Sequence, residues 1–354
     1  MSAVTSDSVG VELWRDRAYD DNCAFADGVA WPSQGNPMLY RPLGSLSVSV
    51  LALGGHEYLA NGSSRGFNED HGDATKAGYI GKGYGERQRR ETLQEAYRLG
   101  INFLDVTIDP EQEALGRNLR DDPPPHDVFV HTRPQGMGYG YDPYNARMAQ
   151  YDELRAEAER ILQLLQRERI DVLNVPFLQP ALDNDPDYLD KIGENVARLR
   201  DAGLIGRAGC DTFSSEGTYL RQIESGHFDS IAINFNFADA GAVENVLPAA
   251  AERGMGVVTR EAFLKGALFR MGGEAGIVDR DALARAALKW NLSHRHVTSV
   301  LVGAADASQL RNAASILDHL PLSAEDERLL DQLRATDTCR STKASKDGRF
   351  FSSR

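Results

Sequence analysis

The segment Asn195-Val196-Ala197-Arg198-Leu199-Arg200-Asp201-Ala202-Gly203-Leu204-Ile205-Gly206-Arg207-Ala208-Gly209-Cys210 holds one whole unit of the architecture. Residues 195–200 read as the end of a helix. Ala202-Gly203 stops it, because glycine takes the left-handed C-cap conformation without steric cost, and a strand at 207–210 follows directly. The same order of helix, glycine stop and strand recurs at 89–99 with Gly100 and at 246–253 with Gly254. Counting outward, short runs rich in Val and Ile predict strands at 48–53, 102–106, 128–132, 172–177, 207–210, 230–235, 256–259 and 299–302. Longer amphipathic segments separate them. One carries Leu154, Ile161, Leu162, Leu164 and Leu165 on one face, with Arg155, Glu159, Arg160 and Arg167 opposite. Strands alternating with helices predict a parallel sheet in the α/β class. Eight of them predict a closed (β/α)8 TIM barrel, since a doubly wound open sheet usually stops near about six.

The chain has 354 residues, 42% of them hydrophobic and 26% charged, an ordinary globular composition. Its formal net charge of -13 offers no basic surface for a phosphate backbone, so nucleic acid is excluded as a partner. The three cysteines, Cys23, Cys210 and Cys339, are too few and scattered for a disulfide framework or a four-thiolate zinc site. No run of apolar residues is long enough for a signal peptide core or a membrane span, so the expectation is a soluble protein of the reducing cytoplasm. The barrel is assigned to residues 38–335. Residues 1–37 form an N-terminal extension whose Trp14, Phe25 and Trp31 are expected to pack on the barrel or on a second subunit of a homo-oligomer, and 336–354 are expected to be a mobile tail.

Two long connections, at 54–86 and 135–150, leave C-terminal strand ends, the face where barrel active sites are built. The first contains His56-Glu57-Tyr58 and a glycine and tyrosine run through Tyr84; the second carries Tyr139, Tyr141 and Tyr144. Both are expected to act as lids that bring Tyr84, Tyr139 or Tyr141 over the mouth. The first is not a phosphate loop, because no Gly-Lys-Ser/Thr closes it.

Several stretches resemble the aldo-keto reductase superfamily. They are Leu39-Tyr40-Arg41-Pro42-Leu43-Gly44 with the strand after it, Leu99-Gly100-Ile101-Asn102-Phe103-Leu104-Asp105, Glu113-Ala114-Leu115-Gly116-Arg117-Asn118-Leu119, Leu264-Lys265-Gly266-Ala267-Leu268 and Val300-Leu301-Val302-Gly303-Ala304. The likeness runs in register from about Leu39 to Leu333 and implies the same barrel. It also implies hydride transfer from NADPH to a carbonyl, with a tyrosine as proton donor tuned by an aspartate, a lysine and a histidine. Residue by residue the tetrad departs from that pattern. The aspartate is Asp105, but the tyrosine falls on Pro110, the lysine on Arg133 and the histidine on Gln179. Arginine stays protonated and cannot share a proton as lysine does. The serine and asparagine of the nicotinamide end read Asp211-Thr212, the sixth-strand glutamine reads Ala232, and the aromatic that stacks on the ring reads Arg260. For the phosphate end, Lys265, Gly266, Gly303 and Ala304 remain as backbone and side-chain donors. Asp306 stands where a base or serine commonly meets the 2'-phosphate and repels it, so the expectation is no cofactor or weakly bound NAD(P), with NADP disfavoured.

The candidate catalytic residues are therefore Asp105, His131, Arg133 and Gln179, with Asp105 and Arg133 expected to pair. His131 is the strand-end group that titrates near neutrality, and so the expected acid or base. His56, Tyr84, Tyr139, Asp211, Asn234 and Arg260 are candidates for binding a small-molecule substrate. Histidine spacing gives no metal site. Three readings stand. One is a non-standard enzyme moving protons on a polar, carbohydrate-like metabolite by isomerisation or elimination. The second is an NAD(P)-dependent oxidoreductase with a relocated proton donor, and the third a non-catalytic barrel that binds a ligand or partner.

Overall fold

A hairpin of β1 (Tyr40–Leu43) and β2 (Leu46–Ser49) opens the described chain, pairing Leu43 with Leu46 across a turn in which Gly44 stands at φ +58°. The computed structural model describes residues 38–59, 63–65, 71–74 and 76–352; the extension 1–37 lies outside them. The predicted strand 48–53 is in fact two, because the chain bends at Val50. There the Ser49 hydroxyl donates to the Leu51 carbonyl and its N–H to the Asn102 side chain, turning the backbone into β3 (Leu51–Leu53). From β3 the barrel continues through β4 (Phe103–Asp105), β5 (Phe129–Thr132), β6 (Ile170–Pro176), β7 (Ile205–Asp211), β8 (Ser230–Asn234), β9 (Gly256–Arg260) and β10 (Ser299–Val302). These eight strands are parallel, and β10 pairs back onto β3 to close the ring.

Helices cover the outside. They are α1 (His71–Ala74), α2 (Arg87–Arg98), α3 (Asp109–Asp121), α4 (Tyr151–Leu165), α5 (Gln179–Asn184), α6 (Tyr188–Asp201), α7 (Glu216–Glu224), α8 (Val246–Glu252), α9 (Ala267–Glu274), α10 (Arg280–Leu292), α11 (Ala307–Ala314), α12 (Ala324–Arg334) and α13 (Asp337–Phe350). The longer covering helices turn an apolar stripe to the sheet; on α4 it is Leu154, Ile161, Leu162 and Leu165. The glycine stop of the opening unit is present, with Gly203 at φ +76° after α6. Inside the ring, Ala52, Phe103, Val172, Ala232 and Val258 pack with Leu43 and Val48 of the hairpin, which therefore plugs one end and leaves the strand C-termini as the open mouth.

Where a mobile tail was expected, residues 337–350 form a helix packed on the barrel. Helix α13 buries Cys339 and Phe350, with the Phe350 ring against Gly241 and 6.0 Å from that of Tyr219. Lys346 is tied to Glu261 at 2.8 Å and Asp239 at 3.1 Å. The helix's low amphipathicity hid this role, since scattered side chains rather than a continuous apolar stripe anchor it. No helix among the described residues is long and apolar enough to cross a membrane.

Candidate active site

Strand register brings the first pair together. Asp105 stands directly opposite His131, so both side chains leave the same face, and His131 Nδ1 lies 2.6 Å from Asp105 Oδ1. His131 is 1% exposed, set edge-on against Phe103, and its Nε2 is buried with no hydrogen-bond partner among the described residues. It is thus a buried partner of Asp105, which holds its Nδ1. The predicted Asp105–Arg133 pair is secondary, at 3.9 Å. Burial would raise the Asp105 carboxyl, but hydrogen bonding and charge from His131, with Arg133 and His56, bring it below the usual value.

Arg133 belongs to a second cluster. Asp211 and Arg260 end β7 and β9, with Asn234 of β8 paired opposite Arg260. Arg260 donates through both terminal nitrogens to Asp211 and through Nε to Asn234 at 2.6 Å, while its plane lies 4.3 Å from the Phe213 ring. Tyr139 reaches in from the 135–150 connection: its hydroxyl donates to Asp211 and accepts from Arg133 at 2.9 Å and Arg260 at 3.0 Å. All the hydrogen-bonding capacity of that hydroxyl is used. Burial, reinforced by Asp211, pushes the Tyr139 phenol far up against the pull of both arginines, so it stays protonated. The connection is less a lid than a fixed plug. Tyr139 holds a left-handed φ of 49°, and Asn145 secures the loop by donating to the carbonyls of Met137, Tyr139 and Asp142. Tyr141 points outward, 38% exposed.

A third group was half legible. His56 lies 2.8 Å from Glu111, whose other oxygen accepts from the Thr107 N–H and hydroxyl at 3.0 Å. Glu111 is in the first turn of α3, where the helix dipole favours an anion. Its sequence signal is an acid in the turn after a strand end. Burial would lower the His56 imidazolium, yet Glu111 and then Asp105 raise it, against Arg133. His56 keeps 34% of its side chain exposed while Glu111 keeps 1%, so the histidine is the titrating group that faces solvent.

Other candidates stand apart from these clusters. Gln179, at the start of α5, accepts from Ser215 at 3.1 Å instead of facing Asp105. Tyr84 is 2% exposed within its own connection, under the Arg65 guanidinium, and is not offered to the mouth as a lid residue. Lys265 is exposed and pairs with Glu261 at 3.2 Å. Asp306 caps α11, accepting from the N–H groups of Ser308 and Gln309, which explains its choice without a nucleotide.

A family model described as the aldo/keto reductase family matches residues 74–281, more than half of the chain. The chain belongs to that family. L-galactose dehydrogenase of Arabidopsis thaliana is 24% identical over 274 residues, covering 69% of this chain and 82% of that protein. Among solved structures, the holo form of an aldo-keto reductase from Bacillus halodurans superposes with a TM-score of 0.61 at 20% identity, covering 84% of this chain and 96% of that one. The glycerol dehydrogenase of Gluconobacter oxydans gives a TM-score of 0.61 at 20% identity over 84% and 95%.

Arg260, which the resemblance puts where the family's aromatic stacks on the ring, is held by Asp211, Asn234 and Phe213. At the phosphate end, Gly303 packs so closely on Tyr58 that a Cβ would lie 2.7 Å from its hydroxyl, while Gly266, at φ +88°, is open. The position of the family's tyrosine, Pro110, is buried in the first turn of α3.

Proposed function

We propose that this aldo/keto reductase family member is an enzyme of acid–base chemistry on a polar, hydroxylated small molecule, with isomerisation or elimination as the reaction class and no tightly held NAD(P). The observation that carries this reading is the His56–Glu111 pair beside Asp105, with His56 the part-exposed member. His56, held more protonated than a free histidine, donates a proton to a substrate oxygen; Asp105, steadied by His131, accepts one from the neighbouring carbon. The neutral cluster of Arg133, Arg260, Asp105 and Asp211, with Tyr139 between, forms the polar wall against which hydroxyls or a carboxylate lie. The partner is a small molecule, not nucleic acid or membrane.

The test is incubation of nucleotide-free protein with aldoses, ketoses and hydroxy acids in heavy water, followed by mass analysis. Carbon-bound deuterium is expected without added cofactor, and its loss in His56→Gln and Asp105→Asn. A second reading, an NAD(P)-dependent oxidoreductase with a relocated donor, is favoured by family membership and by the dehydrogenase names of two relatives. Turnover strictly dependent on NAD(P)H would select it and overturn the first.

A further inference from the structure

Beside the mouth, the start of α2 is built unlike a capped helix. Its first turn reads Arg87-Gln88-Arg89-Arg90 with no acidic residue, and Glu86 at the N-cap makes no side-chain cap bond. The four leading N–H groups of a helix and its positive dipole end favour an anion. A cavity of about 200 Å³ opens there, walled by Arg65, Arg87, Arg89, Tyr58, Ala304 and Ala305. Glu57 and Glu86 also line it, so the side-chain charge is three positive against two negative. Glu57 spends one carboxylate oxygen on the Gly85 N–H at 2.7 Å.

Arg89 is the independent observation. It is only 9% exposed, and one terminal nitrogen donates to the Gly54 carbonyl at 3.1 Å. The other, Nη1, is buried with no hydrogen-bond partner among the described residues, although the side chain lines the cavity. A buried guanidinium nitrogen left without an acceptor is costly, and native proteins satisfy such groups. Arginine presents paired donors to oxyanions, and the α2 amides stand beside it.

From this geometry we infer a binding site for a phosphate-class oxyanion, held by Arg89 and the first turn of α2 with Arg65 and Arg87 at its rim. The site is separate from the acid–base groups and does not depend on the reaction assigned to them; binding is read with no substrate present.

The experiment is calorimetric titration of the full-length protein with inorganic phosphate at constant ionic strength, with chloride as control. Saturable phosphate binding is expected. Arg89→Met should weaken it about tenfold or more, the worth of one charge-assisted hydrogen bond. Should Arg89→Met fail to fold, Arg87→Glu decides, since that side chain is 90% exposed and its reversal adds repulsion without touching the core. Weakened phosphate binding in the variant that folds supports the site. No saturation by the wild type, or unchanged affinity in that variant, overturns it.

Discussion

Removing the charge of Asp211 is the sharpest perturbation of this barrel. Its carboxylate is 0% exposed and accepts from both terminal nitrogens of Arg260, from the Tyr139 hydroxyl and from Asn174 at 3.2 Å, with Arg133 3.5 Å away. Asp211→Asn leaves two buried guanidinium groups facing one remaining carboxylate, Asp105, whose nearest guanidinium contact is 3.9 Å. Breaking a buried ion pair from one side costs about 3–5 kcal/mol, a large share of a typical folding free energy of about 5–15 kcal/mol. Removing both charges, as Asp211→Asn with Arg260→Met, should be less damaging than the single change by at least about 1 kcal/mol, because the uncompensated charge is gone. Urea unfolding followed by circular dichroism measures both. A single variant within about 1 kcal/mol of wild type, or a double variant whose loss is the sum of the two singles, would refute the view of this cluster as a coupled buried network.

Phe350→Ala should destabilise by about 3 kcal/mol, because the ring is buried against Gly241; an unchanged unfolding midpoint would show α13 to be dispensable. The two histidine–carboxylate pairs give pH slopes of opposite sign. Asp105 lies below 3.8 in the folded state, so its contribution is complete above that value and lost as pH falls through the folded one. His56 lies above 6.5, so its contribution is complete below that value and lost as pH rises through the folded one. Urea midpoints across pH should therefore lose the acid-side slope in Asp105→Asn and the near-neutral slope in His56→Gln, and unchanged slopes would contradict the assignments. Asp306→Ala should cost about 1 kcal/mol as a lost N-cap, measured by thermal unfolding, with no loss showing that the cap is idle.

The strands of the barrel were legible as short, mostly apolar runs between amphipathic segments, three of them entered directly from a glycine stop, and all eight lie where those runs are. What the sequence concealed is contact between elements. Asp105 and His131 were both named, but their pairing depends on the register of β4 against β5, which a local pattern does not carry. Arg133 was assigned to Asp105 because the two replace interacting positions of the family; a loop side chain, Tyr139, draws it instead to Asp211. Glu111 carried only a weak local signal for a similar reason. An acid in the first turn of a helix is ordinary, and only the return of the 54–86 connection gives it His56. The tail was misread because α13 has no continuous apolar stripe and is anchored by Cys339, Phe350 and Lys346.

The seam between β10 and β3 has a consequence for how the chain is made. Ser299 donates to the Ser49 carbonyl across 250 residues, so the first barrel strand translated waits for the last. Until residue 302 leaves the ribosome, the nascent sheet keeps two unpaired edges, β3 and β9, and an uncovered apolar interior. Closure of the ring is thus the last step the strand order permits: a product ending before β10 leaves two strand edges for another chain to pair with, however sound its individual helix and strand units.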